Sequence, residues 1–154
     1  MTYQSFDTNG PFQDNYKLLI GSVLPRPIAV VSTRNADGTH NLAPFSFFTG
    51  VCARPLIVAF CPMVRSRDGS RKDSLVNIER EGEFVINFCT EANYEKVNQA
   101  STELPYGQSE FDFAKLGQLP SEKVKAVRMK ESPIHFECKL RDILSYGTTP
   151  GAGS

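Results

Sequence analysis

Apolar residues along this chain gather in short runs punctuated by Gly, Pro, Asp and Asn. Residues 28–33 (IAVVST) are apolar and rich in β-branched side chains, a pattern that predicts a buried strand. Pro25 and Pro27 precede it, and proline is tolerated at a strand's start rather than in its interior. Asp37-Gly38 then predicts a hairpin turn, with residues 40–45 as the return strand and residues 46–53 (SFFTGVCA) continuing as extended chain. Arg54-Pro55 marks a turn, and residues 56–61 (LIVAFC) read as another buried strand ended by Pro62. In residues 74–80 (SLVNIER), Leu75, Val76 and Ile78 give a helix a partly apolar face; Asp73 is the expected N-cap and Gly82 the C-terminal stop. Residues 83–89 (EFVINFC) alternate as a strand. A second helix is predicted over 90–100, with Glu91 and Glu95 near its start. Residues 101–121 are loop-rich, 124–129 suit a short strand, and 134–144 (IHFECKLRDIL) alternate as a longer one. The ends look different: 1–15 read as a polar arm, 16–21 (YKLLIG) as a short apolar segment, and 146–154 as a flexible Gly-rich loop.

Short strands joined mostly by tight turns, with two inserted helices, predict a β-rich (all-β or α+β) domain built on a barrel. A doubly wound parallel sheet would need helices between most strands. No repeat or second domain is visible, so residues 1–154 are read as one domain, a size that buries a core without staples.

Charge narrows the partners. Lys plus Arg and Asp plus Glu balance at 17 each, which removes the basic excess expected for nucleic acid or an acidic membrane surface. The N-terminus lacks a basic stretch followed by an apolar one, and residues 55–64 are too few to cross a bilayer, so a cytoplasmic protein is expected. Cys52, Cys61, Cys89 and Cys138 form no CxxC pair; reduced, buried thiols in a reducing compartment are the expectation.

Two segments could carry chemistry. In NLAPFSFF (41–48), Asn41 and Ser46 are interleaved with Phe45, Phe47 and Phe48, a mixture that offers a flat heteroaromatic ligand an apolar face and polar edge contacts. A plain β-core has the same composition and, on composition alone, is the first reading. In RSRDGSRKDS (65–74), Lys72 and Ser74 sit with several arginines at a predicted helix start, where free N–H groups and the helix dipole favour phosphate. A solvated basic loop reads the same way. There is no Walker A and no GxGxxG, no GxSxG, and no metal spacing between His40 and His135. Glu110 and Asp112 are read as exposed loop carboxylates. No catalytic residue and no metal ligand is assigned.

In order, SVLPRPIAVVST (22–33), DG (37–38), NLAPFSFF (41–48), RKDS (71–74) with Asn77, GEFVINF (82–88) and SPIHFECKL (132–140) resemble the flavin-reductase-like, FMN-binding split-barrel family, nearest its flavoredoxin-like branch. The resemblance runs from about Tyr16 to Leu144. It implies FMN held at a homodimer interface. Ser32 and Thr33, with Lys72, Asp73 and Ser74, would bind its phosphate; Asn41, Ala43, Ser46 and Phe47 would line the ribityl chain and ring; Arg26 would close the pocket edge. It further implies hydride transfer from NAD(P)H, or electrons from a reduced protein, through the flavin to a small-molecule or protein acceptor. The cofactor carries that chemistry, so no acid–base dyad is needed. A non-enzymatic FMN carrier or sensor, and a pyridoxamine-phosphate-oxidase-like or haem-binding member of the wider split-barrel set, are the other readings. Ser74 stands where threonine is frequent. Family members also continue past this chain's TTPGAGS with further strands, some with a Gly-Asp-His segment, so the barrel is expected to lack its last strands or to be completed otherwise.

Overall fold

The structure is a computed structural model that describes residues 2–105 and 108–153. Tyr106 and Gly107 of the loop-rich stretch, Ser154 of the tail and Met1 lie outside it. The elements are α1 (Phe12–Ser22), β1 (Ala29–Arg34), β2 (His40–Phe45), β3 (Phe48–Ala53), β4 (Leu56–Phe60), α2 (Asp73–Glu81), β5 (Glu83–Phe88), α3 (Tyr94–Gln99), α4 (Glu110–Phe113), β6 (Gln118–Leu119), β7 (Arg128–Met129) and β8 (His135–Lys139). Sheet dominates, as the alternation of the sequence predicts.

The centre is a four-stranded antiparallel sheet in the order β2-β1-β5-β8. Successive side chains of a strand face opposite ways, so β1 divides its residues between two cores. Ala29 and Val31 join Phe45, Ile78, Phe84 and Ile86 under α2 and the β3–β4 hairpin. Val30 points the other way and joins Leu42, Val97, Phe111 and Met129 beneath α3, α4 and β7. Both central valines are fully buried, each worth about 1.5–3 kcal/mol of hydrophobic stabilisation.

Polar side chains tie the layers together. Asn87, fully buried on β5, donates to Val30 O at 2.8 Å and to Ser32 Oγ at 3.2 Å and accepts from Met129 N at 2.8 Å. Asn77 on α2 donates to Thr33 Oγ1 at 3.0 Å and Asn35 Oδ1 at 2.7 Å. The outer edge of β2 is closed rather than left as a template for pairing. Leu42 N donates to Glu110 Oε2 at 2.9 Å, Pro44 has no N–H, and His40 O accepts from Ser109 Oγ at 2.8 Å.

Several boundaries differ from expectation, each for a local reason. The stretch read as arm plus apolar segment contains α1; Pro11 before its first residue and Asp14 in its first turn are helix-start signals that its wholly unburied surface obscured. β4 is not a buried strand, because it pairs only with β3 in a separate hairpin; Val58 and Phe60 reach the core while Leu56 is 72% exposed. The second helix begins at Tyr94, because Thr90 N donates to Asn93 Oδ1 and closes a turn first. The long final strand stops at Lys139. The tail folds back, with Val64 N donating to Ala152 O at 2.9 Å. Gly82, by contrast, ends α2 in the left-handed conformation (φ 69°), as its position predicts.

Candidate nucleotide-binding site

A cavity of about 240 Å³ opens between β2 and the head of α2. One wall is β2 and its continuation: Asn41, Ala43, Ser46 and Phe47. Asn41 shares a face with Thr33 across the hairpin, and that face meets α2. The second wall is the start of α2, with Lys72, Asp73 and Ser74. Its first backbone N–H groups have no partner within the helix.

Ser74 is buried, and its Oγ accepts a hydrogen bond from Asn41 Nδ2 at 2.9 Å. That leaves its own O–H to be donated to a ligand acceptor. Asp73 does not cap the helix; Lys72 holds the N-cap position, and the Asp73 carboxylate turns to Arg65 Nη2 at 3.0 Å. The charge pairing continues outward. Arg65 Nε lies 3.8 Å and Lys72 Nζ 3.2 Å from the same oxygen, Oε1 of Glu103.

At the apolar end, the Phe47 ring lies 6.3 Å from that of Tyr16, a residue of α1. Arg26 does not line the cavity but braces it, with Nε 3.3 Å from Ser46 Oγ and Nη1 donating to Ile20 O at 2.8 Å. Ser32 lies on the opposite sheet face, fully buried, donating to Val127 O at 2.5 Å and accepting from Asn87. Thr33 faces α2 but is buried behind Asn77 and does not line the cavity.

The sequence reading missed several lining residues, Tyr16, Glu103 and Glu110 among them. The sequence pattern reads Glu110 as an exposed loop carboxylate. It is instead buried, because α4 docks on the β2 edge and its carboxylate takes the Leu42 N–H. The Phe111 beside it, itself fully buried, was the available signal. Asp112 alone of that pair is exposed.

Burial, helped by the nearby Asp73 charge, pushes the Glu110 carboxyl up, against the opposing effects of the Leu42 N–H and Arg65. A carboxyl whose folded pKa is raised is destabilising when ionised. The penalty is absent below its unfolded pKa and complete above the folded one. Glu110→Gln keeps an acceptor for Leu42 without the charge. Its melting temperature is therefore expected to gain on wild type as pH rises through and above the ordinary glutamate range; a gap that does not change with pH would refute the assignment.

Among the described residues no group of His, Cys, Asp or Glu could hold a metal ion. His135 Nε2 contacts Met129 O at 2.9 Å, away from the cavity. The cysteines are less buried than their apolar settings predict: Cys52 is exposed and Cys61, Cys89 and Cys138 are half-buried, with burial raising Cys138 to about 11. No described helix is long and apolar enough to cross a membrane.

The residues around the cavity suit a phosphorylated, flat ligand: a helix head, two cations and a free hydroxyl at one end, aromatic rings at the other. Curated relatives include an uncharacterized protein of Halalkalibacterium halodurans, 42% identical over 139 residues (90% of this chain, 66% of that one), and one of Bacillus subtilis, 36% identical over 139 residues (67% of that one). The chain thus spans about two thirds of the length of these relatives. Among solved structures, nitrilotriacetate monooxygenase component B from Bacillus cereus superposes with a TM-score of 0.92 at 33% identity, over 99% of this chain and 77% of that one. The 2-nitrobenzoate 2-nitroreductase of Pseudomonas fluorescens superposes with a TM-score of 0.86 at 27% identity, over 98% and 71%. A putative flavin reductase from Shewanella frigidimarina, described as having a split barrel domain, shares the fold at a TM-score of 0.78 and 20% identity, over 98% and 75%. Residues 20–150 match the flavin reductase like domain, and the chain belongs to that family of split-barrel proteins.

Proposed function

We propose that this chain binds FMN in the cavity between β2 and α2 and serves a flavin-dependent oxidoreductase that takes electrons from NAD(P)H. The observation that carries this reading is the convergence of Ser74, Lys72 and Arg65 with Asn41 and Phe47 on one cavity. FMN, once bound, supplies the hydride and single-electron chemistry.

The side chains position and tune it. Asn41 orients Ser74 so that its O–H is donated to the phosphate, while Lys72, Arg65 and the head of α2 supply positive potential. Phe47 and Tyr16 offer the apolar face for the ring, and Arg26 holds Ser46 at its edge. Ser32 and Thr33 act from behind: Ser32 locks β1 to Val127, and Thr33 seats Asn77 and so α2. The test is NAD(P)H oxidation by the FMN-loaded protein, followed at 340 nm with oxygen or ferricyanide as acceptor. Turnover supports the oxidoreductase reading; bound FMN without turnover would leave a flavin carrier instead.

At about 240 Å³ the cavity is smaller than the roughly 300–1,000 Å³ of pockets that enclose drug-sized ligands. A second copy would complete it. Apolar side chains just after α1 and on the β3–β4 hairpin support this: Val23, Leu24, Val51 and Leu56 are 55–72% exposed. Sedimentation at micromolar concentration is expected to give twice the 17.1 kDa chain mass; a monomer there would count against the homodimer. The sparse cysteines, spaced without a CxxC pair, support a reducing compartment such as the cytoplasm.

A further inference from the structure

The cations at this cavity are already matched by acidic side chains. Arg65 is paired with Asp73 at 3.0 Å, and one oxygen of Glu103 reaches both Lys72 (3.2 Å) and Arg65 (3.8 Å). Glu110 adds a third carboxyl nearby. A site that accepts a phosphate dianion gains little from cations whose charge is fully spent, so one carboxylate has to leave.

The structure identifies which. Asp73 sits in the first turn of α2, where the helix dipole favours its charge. Glu110 is buried and holds the β2 edge through Leu42. Glu103 lies in the connection after α3, outside any helix or strand, with its side chain 41% exposed. Its pairs with Lys72 and Arg65 are solvent-screened, and such contacts are weak and easily exchanged. It is the one anion here that can withdraw without disturbing a secondary element.

We infer that Glu103 is an internal competitor for the ligand's phosphate, occupying the Lys72–Arg65 cation pair until the phosphate displaces it. This rests on the FMN reading above and adds a regulator to it. Affinity is set by the exchange of one carboxylate for one phosphate, rather than by two uncompensated cations.

Flavin titrations by fluorescence quenching distinguish the possibilities, using wild type, Glu103→Gln and Glu103→Ala with FMN and, in parallel, riboflavin, which lacks the phosphate. Both variants are expected to bind FMN about three- to tenfold tighter at low ionic strength, the worth of removing one partly screened charge from beside a dianion. Riboflavin affinity should stay at the wild-type value. The FMN gain should shrink near 1 M salt, where the Debye length falls to about 3 Å. Unchanged or weakened FMN binding in both variants, with wild type binding FMN, would overturn the inference and leave the FMN reading standing. Equal tightening of riboflavin would overturn it too, since the effect would then be on access and not on the phosphate. No flavin binding by any of the three proteins would overturn both.

Discussion

Asn87→Ala is expected to destabilise the folded protein by about 3 kcal/mol, a large share of a typical domain's total stability. Asn87 lies fully buried at the middle of the sheet, where one amide joins three elements: it donates to Val30 O on β1 and to Ser32 Oγ and accepts from Met129 N on β7. Truncation leaves those partners buried without it, and each buried polar group left unpaired costs roughly 1–3 kcal/mol. The network is shared, so the losses are not simply additive. Urea unfolding of wild type and variant, with matched m-values, gives the difference. A loss below about 1 kcal/mol would mean that water or neighbouring groups replace the amide, and that β7 is not anchored as described.

Lys72→Ala is expected to weaken FMN binding by about 1–3 kcal/mol, the usual worth of a charge-assisted contact, with riboflavin affinity unaffected. The larger end requires that the ammonium be released to the phosphate; its present pairing with Glu103 at 3.2 Å and a side chain 32% exposed pull the figure toward the smaller end. The double variant Lys72→Ala/Glu103→Gln separates these effects. If Glu103 acts through Lys72, removing it should restore less affinity in the Lys72→Ala background than in wild type. An unchanged FMN titration for Lys72→Ala alone would remove the phosphate from this end of the cavity.

Sequence pattern reads well where one local signal and the final packing agree. β1 and β5 are buried along most of their length because both sheet faces are covered, and Gly82 ends α2 because the chain turns there through the left-handed conformation. The hairpin at Asp37-Gly38 forms as its turn chemistry dictates, with Gly38 at φ 91°. Pattern fails where tertiary contacts decide. LIVAFC has the composition of a buried strand, yet β4 stands in a separate hairpin with Leu56 exposed. Asp73 has the residue type of an N-cap, yet Arg65 draws its carboxylate away. Glu110 has the look of a surface acid, yet an edge N–H of β2 needed an acceptor.

The site divides in the same way. Asn41, Ala43, Ser46, Phe47, Lys72, Asp73 and Ser74 are brought to one cavity from segments more than twenty residues apart. Ser32 and Thr33 are adjacent in sequence, and that adjacency is what separates them: on a strand, neighbours face opposite ways. One is spent on Val127 and Asn87, the other on Asn77. Tyr16 and Glu103 come from segments whose local pattern gives no hint of a ligand, a helix with no fully buried residue and a connection without regular structure.

The account turns on the polar end of this cavity gripping the phosphate of a flavin. Parallel equilibrium titrations of the purified protein with FMN and with riboflavin, followed by flavin fluorescence and visible absorbance, test that grip most directly. FMN is expected to bind at least about tenfold tighter, the ratio that one charge-assisted hydrogen bond of roughly 1.5 kcal/mol supplies. Equal affinity for the two flavins, or binding of neither, would contradict it.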